Sequence, residues 1–385
     1  MKTIAVIGAG AMGSGIAQVA AMAGHDVLLY DTREASLVKG VDGIRQSLNL
    51  LASKGRITDT EANAVFGRIF PIDKLESIRE AGLVIEAIIE SEAEKLSLFA
   101  LVEPLVAAET ILATNTSSLS VTALARPLKR PERFVGLHFF NPPVLMKLVE
   151  VVPALQTDLS VRDEAADLMR SWGKVAVIAR DTPGFIVNRI ARPYYSEALR
   201  IAEENIATPA VIDEAMRRLG GFRMGPFELM DFIGHDVNEA VTRSVWTATN
   251  FEPRYAPSAL QVNLVRAGWL GRKTGRGFYD YAARTPERPD VPAEHLQPVF
   301  ERIITMLIHE AADALYYGIA GRDDIDTAMT LGVNYPKGLL AWGDELGPEW
   351  CVDRIDALFS TYREGRYRGS PLLRQMAQRG QRFFT

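Results

Sequence analysis

The sequence predicts an α/β domain followed by an all-α region made of two tandem repeats. Three observations carry that expectation. Short β-branched runs alternate with longer amphipathic stretches from residue 3 to residue 181. The strand signals fade after Pro183-Gly184. The helical part then matches itself at one constant offset, the one that carries Arg189 onto Arg302.

In the first part, residues 4–7, 26–30, 83–87, 111–113, 134–137 and 175–178 read as strands, and 14–23, 92–106 and 160–172 as helices. Strands alternating with helices predict βαβ units and a parallel sheet covered on both faces. From residue 185 to about 270 the pattern is helical, and the basic loop Gly271-Arg272-Lys273-Thr274-Gly275-Arg276-Gly277 follows. Residues 282–295 hold three prolines among charged residues and read as a linker. Helical periodicity then resumes. The expected domains are 1–183, 184–281 and 296–385, with 282–295 joining the last two.

The self-match aligns Arg189 with Arg302, Glu197 with Glu310, Asp213 with Asp326, Gly225 with Gly338, Asp231 with Asp344 and Gly234 with Gly347, without a gap. Amphipathic helices resemble one another by chance in their apolar positions, but here glycines and acidic residues coincide as well. That predicts a duplicated module.

Gly8-Ala9-Gly10-Ala11-Met12-Gly13 fits G-x-G-x-x-G. The motif alone says little, but here it leaves a strand and opens a helix. Gly8 makes the turn, Gly10 admits a pyrophosphate, and Gly13 lets helix and strand pack; the helix N-terminus then favours phosphate. Asp31 ends the second strand, one helix beyond Gly13. A carboxylate there bonds ribose hydroxyls and repels a 2′-phosphate, so the expected cofactor is NAD, with Arg33 as the counter-signal. The first domain is therefore expected to be a Rossmann-type NAD-binding domain.

Composition narrows the rest. Of 385 residues, 48% are hydrophobic and 24% charged, which suits a globular chain. The formal charge of −5 offers no basic field for nucleic acid or an anionic membrane. Cys351 is the single cysteine, so no disulfide framework or cysteine metal site is expected, and a cytoplasmic location is. The N-terminus enters a strand signal at once, so no signal peptide is expected, and no apolar run is long enough to span a bilayer.

His138 follows a strand, where open α/β sheets place their ligands. A dehydrogenase needs a base near neutral pH, and histidine serves; a hydrogen-bonded core histidine is an equally good reading of His138 alone. Glu150 comes shortly after it, inside the apolar run Met146-Lys147-Leu148-Val149-Glu150-Val151-Val152. An imidazole N–H would stabilise a carboxylate there; a solvent-facing place on an edge strand is the alternative.

The whole chain resembles the 3-hydroxyacyl-CoA dehydrogenases, including the short-chain 3-hydroxybutyryl-CoA enzymes. The resemblance runs through Gly8–Gly13, Val84-Ile85-Glu86-Ala87-Ile88-Ile89-Glu90, Thr114-Asn115-Thr116-Ser117-Ser118-Leu119, Gly136–Pro142, Lys147–Val151, Asp181–Arg189, Gly225–Asp231 and Gly271–Tyr279. It implies oxidation of (S)-3-hydroxyacyl-CoA to 3-oxoacyl-CoA with NAD, with His138 as base and Glu150 as its partner. It implies that Ser117 and Asn188 bond the substrate oxygen and the histidine. It places Glu90, Lys95 and Asn115 with the motif residues and Asp31 at the cofactor, and Asn141 and Lys54 at the acyl-CoA. Taken alone, Ser117 reads as a loop or N-cap serine, Asn188 as a helix-face amide and Lys54 as a solvated charge. The sequence departs from the family in having Ser91 after Glu90, and the second copy has Glu301 where the first has Asn188.

A short-chain substrate is the favoured expectation, and a 3-hydroxyadipyl-CoA dehydrogenase of aromatic degradation the alternative. A reading of another class, a non-catalytic NAD-binding sensor or scaffold, has no use for Ser117, His138, Glu150 and Asn188 together. The expected partner is an acyl-CoA substrate, with neither nucleic acid nor membrane. The expected assembly is a monomer whose two helical copies form an internal pseudo-dimer, or a homodimer.

Overall fold

The computed structural model describes residues 2–282 and 288–384. The chain divides into two compact units, Met1–Thr182 and Pro183–Thr385.

The first unit holds strands β1 (Thr3–Ile7), β2 (Val27–Tyr30), β3 (Ile69–Ile72), β4 (Ala81–Glu86), β5 (Ile111–Thr114), β6 (Phe134–Phe139), β7 (Leu148–Pro153) and β8 (Val175–Ile178). Its helices are α1 (Ala11–Met22), α2 (Glu34–Ser53), α3 (Asp59–Phe66), α4 (Glu92–Val102), α5 (Val121–Ala125) and α6 (Leu159–Ser171). One sheet has the order β3-β2-β1-β4-β5-β6-β7-β8. Ile4, Val6, Leu83, Ile85, Ile111, Ala113, Val135 and Leu137 are buried in the core. Strands covered on both faces read as continuous apolar runs, which is why most were legible.

Two features differ from expectation. The sheet is mixed, because β7 runs antiparallel to β6. Only residues 140–147 separate those strands, whereas a parallel return needs a crossover of about a dozen residues or more. The sequence reading also missed β3, whose Ile-Phe-Pro-Ile has a proline inside it. The sheet order puts β3 at an edge, where a strand tolerates proline.

The second unit is helical: α7 (Val187–Ile190), α8 (Arg192–Glu203), α9 (Pro209–Arg218), α10 (Pro226–Ile233), α11 (His235–Ala248), α12 (Ala259–Arg266), α13 (Ala293–Tyr316), α14 (Arg322–Gly332), α15 (Leu339–Leu346), α16 (Pro348–Tyr362) and α17 (Pro371–Arg379). Of the expected linker, residues 283–287 lie outside the described residues, and α13 begins at Ala293, ahead of the expected boundary.

Local contacts recur along this unit. Asp213 accepts the backbone N–H groups of Phe227 and Glu228 at the start of α10 (2.8 and 3.0 Å). Asp326 does the same for Leu340 and Ala341 in the first turn of α15 (2.8 and 2.9 Å). Gly225 and Gly338 precede these helices, and a Cβ on either would fall within 2.5 Å of that aspartate's side chain. Ion pairs cross reciprocally: Arg189 to Glu310 at 2.8 Å and Arg302 to Glu197 at 3.0 Å. Arg254 binds Glu310 at 2.9 Å, and Arg366 lies 3.7 Å from Glu197. The constant offset would carry Arg254 onto Tyr367, the neighbour of Arg366.

Candidate active site

His138 is the fifth residue of β6 and Glu150 the third of β7, and the antiparallel register sets them directly opposite one another. Directly paired residues point to the same face, so the short connection between the strands brings imidazole and carboxylate together. His138 Nδ1 lies 2.5 Å from Glu150 Oε2, with the side chains 7% and 0% exposed. Glu150 sits on an interior strand between β6 and β8, which removes the edge-strand alternative. If Nδ1 carries the proton and donates to the carboxylate, Nε2 is left as the acceptor a base requires.

Ser117 lies in the loop after β5. Its N–H donates to Glu90 Oε1 (2.8 Å) and its hydroxyl lies 3.2 Å from the same oxygen. Ser120, not Ser117, caps α5 by accepting the N–H of Ala123. Glu90 also accepts from the Thr116 hydroxyl at 2.7 Å and lies 3.3 Å from the Lys95 ammonium. Burial alone would raise the Glu90 pKa, but Lys95 and the donors from Thr116, Ser117 and Ser118 outweigh it and hold the carboxyl below its ordinary value. Lys95 is 1% exposed and donates to Glu86 at 2.5 Å, so it lies beneath Glu90 and holds that carboxylate in place. Glu86 is fully buried and also accepts from the Thr114 hydroxyl at 2.7 Å. Sequence reasoning did not single out Glu86, although an acidic residue closing an apolar strand was the available signal. The Asn115 side-chain oxygen accepts the N–H of Phe139 at 2.9 Å, tying β5 to the residue after His138. Asn141 lies in the loop that follows β6 and is joined to Pro142 by a cis peptide.

The glycine motif fits a dinucleotide. Gly8 has φ +104°, and a Cβ on Gly13 would come within 1.8 Å of the Gly8 carbonyl oxygen. Both positions are dictated by the protein itself. Gly10 is different: a Cβ there would meet nothing within 4 Å. Open space beside a helix N-terminus with no side-chain cap suits a pyrophosphate. A cavity of about 590 Å³ is lined by Gly8, Gly10, Ala11, Met12 and Asp31. Asp31 Oδ2 accepts the N–H of Ala9 and Oδ1 that of Arg33, each at 2.9 Å. Arg33 itself is 77% exposed and 3.9 Å from Asp31.

A second cavity, of about 740 Å³, lies between α1, α2 and the β6–β7 loop, lined by Gly15, Ile44, Pro143 and Leu145 together with Lys54 and Arg56. Asn188 belongs to α7 in the helical unit. Glu301, which the expected self-match aligns with Asn188, pairs with Arg354 at 3.0 Å.

Family models match most of the chain. The 3-hydroxyacyl-CoA dehydrogenase NAD binding domain matches residues 3–182. The 3-hydroxyacyl-CoA dehydrogenase C-terminal domain matches 184–281 and 299–382. The chain belongs to the 3-hydroxyacyl-CoA dehydrogenase family. It is similar to the 3-hydroxyadipyl-CoA dehydrogenase of Escherichia coli K12, 39% identical over 98% of each chain. It is 41% identical to a probable 3-hydroxybutyryl-CoA dehydrogenase of Bacillus subtilis, over 74% of this chain and 99% of the relative. The crystal structure of a 3-hydroxybutyryl-CoA dehydrogenase from E. coli K12 matches with a TM-score of 0.94 at 40% identity, covering 98% of each chain. The chain is thus an NAD-dependent oxidoreductase of 3-hydroxyacyl-CoA, and the sensor reading falls. No helix among the described residues is long and apolar enough to cross a membrane.

Proposed function

We propose that this enzyme oxidises the 3-hydroxyl of a short-chain (S)-3-hydroxyacyl-CoA, with His138 taking the hydroxyl proton on Nε2. NAD held at Gly8, Gly10 and Gly13 would supply the hydride acceptor. Glu150 holds the ring and stabilises the imidazolium that forms. Ser117 and Asn188 donate to the substrate oxygen, and Lys54 meets the CoA at the mouth of the groove formed by α1, α2 and the β6–β7 loop. The 2.5 Å contact between His138 and Glu150 carries this reading. Asp31 gives the preference for NAD. A 3-hydroxyadipyl-CoA substrate is the second reading, favoured by similarity to an enzyme of that name over 98% of the chain.

The helical unit is proposed to be two tandem copies of one module, 184–281 and 296–385. The reciprocal Arg189–Glu310 and Arg302–Glu197 pairs support this, because a two-fold interface makes each contact twice. So does the B. subtilis relative, matched nearly whole by three quarters of this chain. The second copy, with Glu301 in place of Asn188, cannot donate the amide hydrogen bond, so each chain carries one site. A cytoplasmic protein is favoured, either a monomer with an internal pseudo-dimer or a homodimer.

The test is absorbance at 340 nm on mixing the purified protein with NADH and acetoacetyl-CoA. A fall in absorbance at a rate proportional to protein is expected. No change with any C4 to C6 3-oxoacyl-CoA would refute the proposal.

A further inference from the structure

The buried arginines of the helical unit follow a rule with one exception. Arg254, Arg302 and Arg366 each meet a carboxylate within 3.2 Å. Arg192, the first residue of α8, is 5% exposed and pairs with no carboxylate among the described residues. Its Nε donates to the backbone carbonyl of Asn188 at 2.8 Å, and its Nη1 to the Thr242 hydroxyl at 3.1 Å. The Tyr195 ring lies 5.0 Å away. Tyr335, close enough to feel the guanidinium's charge, is 5% exposed, and its hydroxyl has no partner among the described residues. A buried cation without a counter-charge is costly, and a fold keeps one where an anion arrives to meet it.

The proposed duplication sharpens the point. The cations that hold the two copies together recur in both, as Arg189 with Arg302 and Arg254 with Arg366. Arg192 does not recur: its counterpart is Thr305, whose buried hydroxyl has no partner among the described residues. Asn188 does not recur either, being replaced by Glu301. The unpaired cation therefore goes with the catalytic amide and not with the packing of the module.

We propose that Arg192 receives a carboxylate at the far end of the acyl tail, so that the preferred substrate is an ω-carboxylated 3-hydroxyacyl-CoA. This rests on the reading of Asn188 as the amide that holds the 3-oxygen. Arg192 Nε donates to the backbone carbonyl of Asn188 at 2.8 Å, so the guanidinium lies next to the residue that holds the 3-oxygen. The planar guanidinium fork matches a carboxylate, whereas a plain alkyl tail would leave it unmet.

The experiment compares kcat/KM for 3-hydroxyadipyl-CoA and 3-hydroxyhexanoyl-CoA, equal in length and differing in the terminal carboxylate, with saturating NAD. The wild type is expected to favour the dicarboxylic substrate by roughly 100-fold, since a site built for a polar group rejects analogues that lack it. Arg192→Met should bring the ratio close to unity by losing most on the dicarboxylic substrate, and Arg192→Lys should restore part of it. Equal wild-type values would overturn the proposal. So would an Arg192→Met that lowers both substrates alike, the mark of a purely structural arginine. If Arg192→Met does not fold, Thr242→Val loosens the same guanidinium and must lower the ratio, and the wild-type ratio needs no variant. Turnover of 3-hydroxyhexanoyl-CoA alone sinks this inference and leaves the dehydrogenase reading standing; turnover of neither removes both.

Discussion

At the scale of single residues, chemistry is set by which polar groups the backbone forces together. His138 and Glu150 face one another because two strands pair in one register. A one-residue slip would send either side chain to the other face. Their spacing was readable because a carboxylate in an apolar run has few tolerable partners. Glu86, Lys95 and Arg192 were not readable in that way. A buried Lys95 on Glu86 and an exposed lysine on a helix look the same in sequence, since burial depends on what packs above them. Asp31 makes a prediction at this scale. Its carboxylate is anchored by two backbone N–H groups and can still accept from ribose hydroxyls. Asp31→Ala should raise KM for NADH and narrow the gap to NADPH. Wild-type kcat/KM measured with both cofactors is the check, and an equal or better value with NADPH would defeat the assignment.

Elements transmit these placements. The loop from β6 to β7 forms one wall of the groove that holds Lys54, and it is fixed from both sides. Pro143 packs so closely on α1 that a Cβ at Gly15 would come within 2.8 Å of its ring. From the other side the Lys174 ammonium donates to the carbonyls of Pro143 (2.5 Å) and Met146 (2.8 Å). Burial pushes the Lys174 pKa down to about 8. Lys174→Met should therefore raise KM for acyl-CoA about tenfold or more while KM for NAD changes little, because loss of a buried charged hydrogen bond costs about 1.5–3 kcal/mol. Steady-state kinetics with each substrate varied separately decide it, and equal losses for both substrates would count against a local role. Element types were largely legible; the direction of β7 and the existence of β3 were not. A strand's partner follows from connection length and sheet position, and neither is a property of the strand's own residues.

The whole molecule shows its electrostatics in acid. Glu310 is fully buried between Arg254 and Arg189, and although burial works against it, those cations hold its pKa at about 2. A carboxylate depressed in this way stabilises the fold above its ordinary range near 4.5, and that contribution is lost as pH falls towards 2. His309 is fully buried, and burial together with the nearby Arg254 lowers its pKa from 6.5 to about 4. The unfolded chain binds that proton below 6.5 while the folded chain refuses it, so stability falls between 6.5 and 4, by about 3 kcal/mol. His309→Phe should flatten the loss of the urea midpoint between pH 6.5 and 4 and leave the steeper loss at lower pH. An unchanged slope would contradict the account. The division into a sheet unit and a helical unit was legible from periodicity alone. The proposed duplication rests instead on glycines and acidic residues that periodicity does not require.

In the proposed reaction the His138–Glu150 pair performs the proton transfer of an NAD-linked oxidation. The most direct measurement is kcat of His138→Ala in 3-hydroxyacyl-CoA oxidation, alongside NAD affinity of the same variant by fluorescence titration. A fall in kcat of about 10²–10⁴, the usual contribution of a general base, is expected, with NAD affinity within a few-fold of wild type. A variant that turns over at a near-wild-type rate, or one that loses NAD binding in step with kcat, would contradict that role.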